Sequence, residues 1–174
     1  MIGLFLVCLM VAYIGSTDVA ANCEVGWREF NNNCYYFSPK KLNWHDARKT
    51  CERKKAGLAT VTCVDEHNFI AEQIILEGTR DNWIGGNDIK REGLWAWEHS
   101  GEHVRASNFT AWNPGQPNDK KKEQNCLLMD EGCRYNWNDF KCTSRYSFVC
   151  EKPSKQETCC QATNTKCCGC PVHC

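Results

Sequence analysis

The sequence predicts an α+β fold with two helices in its first half and antiparallel sheets joined by long loops in its second, the whole stapled by disulfides. Three observations carry this. Apolar residues recur at helical spacing from Trp44 to about Gly78. Beyond that point the pattern breaks into short apolar or aromatic runs separated by Gly, Pro, Asn and Asp. The chain also holds 15 cysteines in 174 residues, far above ordinary usage.

Trp44, Ala47, Cys51 and Leu58 trace the first helical stripe, with Asn43 placed to cap it and Gly57 to stop it. Phe69, Ile70 and Ile74 trace the second. It is opened by Thr62 or Asp65, carries Glu66 in the first turn and closes at Gly78. Strands are expected at Trp83-Ile84, Leu94 to Trp97, Cys126 to Met129 and Tyr146 to Cys150. With helices first and strands after, the layout is α+β.

Seven Trp, seven Phe and five Tyr suffice for one core of ordinary size. The first 21 residues contain an apolar stretch ending in Val19, Ala20 and Ala21, and read as a cleaved signal peptide. That stretch is about 14 residues, short of the roughly 20 that span a bilayer, and no later segment is long enough, so the expected product is secreted and extracellular. Removing Cys8 with the signal leaves 14 of the 15 cysteines, an even number that suits full pairing in an oxidising compartment. Basic and acidic residues balance at 21 each, and no basic footprint for nucleic acid is present.

Residues 22–152 are aromatic-rich, whereas 153–174 hold no aromatic residue and carry six cysteines in their last 16 positions. Such a tail has no apolar core and depends on cross-links for order. Six cysteines allow fifteen pairings, and bridges between chains would give a disulfide-linked homo-oligomer, with avidity as the benefit.

In the main domain, Cys23 with Gly26-Trp27, then Cys34-Tyr35-Tyr36-Phe37, Trp44-x-x-Ala47-x-x-x-Cys51 and Trp83-Ile84-Gly85-Gly86 stand in order. They are followed by Trp112-Asn113-Pro114-Gly115-Gln116-Pro117-Asn118, Asn125-Cys126, Trp137-Asn138-Asp139, Cys142 and Phe148-Val149-Cys150-Glu151. In this combination the sequence resembles the C-type lectin domain over about 130 residues. The resemblance implies the pairs Cys51–Cys150 and Cys126–Cys142, and the pair Cys23–Cys34 of the long form. Cys63 and Cys133 lie outside the common pattern. Parity favours a bridge between them over a dimer-forming thiol.

The resemblance also implies a bound calcium ion and a sugar on it. Calcium takes six to eight hard oxygen ligands. By resemblance Gln116, Asn118, Asn138 and Asp139 form the principal site around a cis Gln116-Pro117 bond. The family's acidic residue two places before the cysteine is replaced here by Gln124, so Glu123, one earlier, is assigned as the further ligand. Vicinal sugar hydroxyls would complete the shell, contacting Gln116, Asn118, Glu123 and Asn138. Asp88, Glu92 and Asp119 match an auxiliary calcium site, against the plainer reading of solvated loop carboxylates. The triplet Gln-Pro-Asn mixes the family's mannose-type and galactose-type patterns, leaving the preference open, although the absence of a following tryptophan leans away from strict galactose.

Other constellations carry less. Lys120, Lys121 and Lys122 read as a solvated loop before they read as an anion contact. His99 and His103 lack a third metal ligand nearby. No nucleophile elbow, phosphate-cradling loop or paired-carboxylate signature supports an enzyme. Asn108-Phe109-Thr110 is the single N-glycosylation sequon. The expected function is that of a secreted calcium-dependent lectin for mannose- and/or galactose-type glycans or glycoproteins, serving recognition of microbial or self surfaces. The rival is a calcium-independent protein-binding module of the same fold.

Overall fold

The computed structural model describes residues 22–155; the expected signal peptide and nearly all of the Cys-rich tail lie outside them. Among the described residues the helices and strands are β1 (Arg28–Phe30), β2 (Asn33–Leu42), α1 (Trp44–Arg53), β3 (Gly57–Leu58) and α2 (Val64–Leu76), then β4 (Asn82–Asn87), β5 (Ala96–Trp97), β6 (Cys126–Met129), β7 (Trp137–Phe140) and β8 (Tyr146–Pro153). Helices precede most of the sheet, as the periodicity implies.

Both helices form where the apolar stripes lie, and their ends show why. The Asn43 side chain accepts from the Asp46 N–H at 2.9 Å, satisfying a first-turn donor as an N-cap should. The first helix does not run to Gly57. It ends at Arg53, four residues earlier; Lys55 takes a left-handed φ of 56°, and the Lys55 and Ala56 N–H groups bond back to Glu52 and Cys51. This is a Schellman ending made without glycine. Gly57 instead opens β3, and a Cβ there would meet the His99 ring at 3.1 Å. Gly78, at φ 66°, ends α2 in the same way, with Gly78 and Thr79 bonding to Ile75 and Ile74. The N-cap of α2 is Cys63 rather than Thr62 or Asp65. Its side chain does not cap; the Glu66 carboxylate reaches back past it and accepts from the Thr62 N–H at 2.8 Å, fixing the entry of the chain into the helix.

The strands form one sheet in the order β1-β2-β8-β4-β6-β7, with β3 on β8 and β5 on β4. Pairing is antiparallel except between β4 and β8, which run parallel. That contact brings the last strand beside both β2 and β4, so the two ends of the domain meet at the sheet's centre. Period-two alternation divides the side chains between two cores. Tyr35, Phe37, Ile84, Leu127, Met129 and Val149 face α2 residues Ile70 and Ile74. Cys34, Trp83, Cys126, Leu128, Phe148 and Cys150 face Trp44, Ala47 and Cys51 of α1. The expected strand from Leu94 shrinks to Ala96–Trp97 because Trp95 turns into the first core and leaves Leu94 43% exposed.

Cys51–Cys150, Cys126–Cys142 and Cys23–Cys34 are bridged. The Cys63–Cys133 bridge is not formed. Cys133 is a free thiol in a 3-10 turn between β6 and β7, its Sγ directed at Asp130. Cys63 is disulfide-bonded at the start of α2. Parity alone could not tell that Cys63 is bonded elsewhere while Cys133 stays a thiol.

Candidate functional site

The stretch between β5 and β6 has little regular structure, and β7 anchors it. Trp137 donates its N–H to Ala111 at 2.7 Å and accepts from Asn113 at 2.9 Å, so the Trp112 segment runs beside β7 as an added bridge. Beneath this anchor the Trp137 ring meets Trp97, Phe109 and Trp112 edge to face at 5.7–5.8 Å. Each aromatic contact fixes the loop from below, as buried edge-to-face pairs do. The chain then turns at Asn113–Gln116, passes Gly115 at φ 86°, and enters a cis Gln116-Pro117 bond.

The next two N–H groups are held by one carboxylate. Asp139, fully buried on β7, accepts from Asn118 at 3.0 and 3.1 Å and from Asp119 at 2.6 Å. Gln124 closes the loop from its far side. Its Nε2 donates to the Asp139 carbonyl at 2.7 Å, its Oε1 accepts from Lys120 N at 2.6 Å, and its backbone N–H donates to Asp119 at 3.1 Å. Asn118, Asp119, Gln124 and Asp139 thus belong to one cradle, which Gln116 enters through the cis bond and Asn138 precedes on β7.

Glu123 does not join it. Its carboxylate is ion-paired with Lys141, is about half exposed, and is held below the usual carboxylate range by that lysine's hydrogen bond and charge. Gln124, and not the neighbouring acid expected as the ligand, is the residue buried at this position. Its distance of two residues from Cys126 was the available signal.

Three buried acceptor atoms here lack partners: Gln116 Oε1, Asn138 Oδ1 and Asp88 Oδ1. Asn138 is turned so by Asp130, which takes its Nδ2 at 2.9 Å. Buried acceptors without a donor are costly. Two buried amide oxygens without donors, together with the buried Asp139 carboxylate, are the oxygen chemistry a hard cation takes. Asp88 lies nearby at the end of β4, bonded to Gly93 N at 2.9 Å. Burial is the main cause that pushes its pKa up to about 6, with the charges of Glu92 and Asp119 adding to it. Those two carboxylates therefore sense Asp88, although no set of three or more His, Cys, Asp or Glu converges as metal ligands among the described residues. His99 lies instead against Gly57, and Asn108 is exposed at the end of a 3-10 turn over Val104–Ser107.

No helix among the described residues is long and apolar enough to cross a membrane. The family model described as the Lectin C-type domain matches residues 40–152. A perlucin-like protein of Mytilus galloprovincialis is 34% identical over 144 residues, covering 81% of this chain and 90% of the relative. A type-2 ice-structuring protein of Osmerus mordax is 31% identical over 169 residues, covering 88% and 93%. The carbohydrate-recognition domain of the mouse scavenger receptor C-type lectin superposes with a TM-score of 0.68 at 30% identity, over 75% of this chain and 98% of that one. Family match, long relatives and shared architecture agree, and this chain belongs to the C-type lectin domain family, whose members are in general binding modules and not enzymes.

Proposed function

We propose that the protein is a secreted, calcium-dependent carbohydrate-binding protein that takes vicinal sugar hydroxyls at the loop around Pro117. The observation that carries this reading is the pair of orphaned, buried amide oxygens, Gln116 Oε1 and Asn138 Oδ1, in the two segments that meet at the buried Asp139. Calcium would be held by Gln116, Asn118, Asn138 and Asp139, with Gln124 or a released Glu123 adding an oxygen. The ion supplies open coordination positions that sugar hydroxyls can fill. The amides supply specificity, since each can donate from nitrogen and accept at oxygen toward the same hydroxyls. With a single carboxylate in the cradle the calcium affinity is expected to be weak. Asp88, Glu92 and Asp119 are proposed as an auxiliary ion site that orders the loop, and Asn108 as a glycosylated position.

A second reading has one specific observation behind it. The family's acidic ligand is an amide here, Gln124, whose oxygen already accepts from Lys120 N, which favours a calcium-independent protein-binding module. A glycan array probed with the oxidised protein, with calcium and then with chelator, separates the two. Chelator-reversible binding to mannose- or galactose-type glycans supports the lectin; glycan signal that chelator leaves unchanged, or none at all, sinks it.

A further inference from the structure

Reaching the same loop at Pro117 lies a groove of about 270 Å3 whose walls include Leu94, Trp95, His103, Arg105, Trp112 and Pro117. Its construction is rigid. The 3-10 turn over Val104–Ser107 is tied to the Trp95 carbonyl by the Val104 N–H at 3.0 Å, and His103 bridges Ala96 of β5. Trp95 and Trp112 meet edge to face at 4.8 Å. Trp112 is only partly buried and Leu94 is exposed, so the groove offers apolar surface to solvent.

The charge of this groove is one-sided. No carboxylate lines it, and neither Arg105 nor His103 forms an ion pair among the described residues. An unpaired guanidinium beside indole rings is suited to a ligand that has both an apolar face and an anionic group. The volume admits about one sugar ring, being below the usual range for drug-sized ligands.

We infer that this groove is a second saccharide subsite, selective for an acidic sugar bearing a carboxylate or sulfate, adjacent to the sugar held at Gln116 and Asn118. The placement rests on the calcium-lectin reading; the groove's own chemistry does not. The ring's C–H face would lie on Trp112, with its acid on Arg105 and His103 completing the anion contact. Arg105 is exposed, so Arg105→Gln should fold as the parent does.

The test follows the indole N–H resonances of Trp95 and Trp112 during titration with glucuronic acid, N-acetylglucosamine 6-sulfate, their neutral counterparts and inorganic sulfate, all in chelator. Saturable shifts are expected from the two acidic sugars, or from whichever acid the groove accepts, with the neutral sugars at least tenfold weaker. Arg105→Gln should remove that preference. Acidic sugars that move neither indole, that act equally on the variant, or that bind no better than sulfate alone would overturn the subsite. The saccharide titrations exclude calcium, so failure of the calcium-lectin reading appears separately, in a second titration without chelator, as side-chain amide signals of Gln116 and Asn138 that do not respond to calcium.

Discussion

Asp139→Ala probes the cradle at the point where structure and binding meet. The Asp139 carboxylate holds the Asn118 and Asp119 N–H groups at 2.6–3.1 Å. Hydrogen bonds to a charged acceptor contribute about 1.5–3 kcal/mol each, and partial exposure of the loop argues for the lower figure, giving about 3 kcal/mol for the two. In chelator the variant should unfold at a urea midpoint lower by about 1.5 M, taking a slope of ~2 kcal/mol/M. Calcium adds a second arm: at a hundred times its dissociation constant it stabilises the wild type by about 2.7 kcal/mol and should give the variant nothing. The gap therefore widens from about 3 to about 6 kcal/mol. Urea titrations of both proteins, with and without calcium, supply all four values. Equal midpoints in chelator would refute the carboxylate's role in holding the loop; an equal calcium shift in both proteins would refute its role as a ligand.

Three further outcomes are expected. Gln124→Glu keeps an acceptor for Lys120 N but adds charge beside Asp139 and loses the bond to the Asp139 carbonyl, so calorimetry should show calcium affinity raised about tenfold and chelator stability lowered by about 1–2 kcal/mol. Burial, with the nearby Glu66 charge, pushes the Glu151 pKa up to about 8 from 4.5. The folded state then keeps a proton the unfolded chain has released, and stability should fall as pH rises through that window, by up to ~1.4 kcal/mol per unit; denaturation at several pH values should show Glu151→Gln flattening that slope. Replacing the Cys51–Cys150 pair, 99 residues apart, should cost about 4.7 kcal/mol of loop-closure entropy against about 3.1 for Cys126–Cys142, 16 apart. A chemical-denaturation comparison in which the shorter loop proves the costlier loss would contradict that ordering.

The features readable in the sequence are those fixed by local chemistry or by period. Asn43 and Gly78 mark helix ends through their own backbone preferences, and the unbroken apolar runs of β6 and β8 follow from burial on both faces of a central sheet. Lys55 was not legible as a helix end, because a left-handed lysine is stabilised by the bonds it completes rather than by any preference of its own. Cys133 and Cys63 show the same limit for pairing, since a cysteine count is blind to where the chain carries each one.

At the site, the loop anchored on Trp137 could be located from its motif, while the choice between Glu123 and Gln124 could not. Charge favoured Glu123, but Lys141 draws that side chain outward, and the position facing Asp139 goes to the amide. The buried cluster in which the Tyr35 hydroxyl donates to Glu66 at 2.6 Å and Asn33 Nδ2 donates to Glu151 at 2.8 Å was equally invisible. It joins residues from β2, α2 and β8 that are up to 118 positions apart.

The most direct test of the account is a calorimetric calcium titration of the oxidised protein beside its Asn138→Ala variant, which removes one of the orphaned oxygens without touching the Asp139 carboxylate. Saturable binding by the wild type, weakened at least tenfold in the variant, is the predicted result. No calcium binding at millimolar concentration, or binding that the loss of Asn138 leaves unchanged, would contradict it.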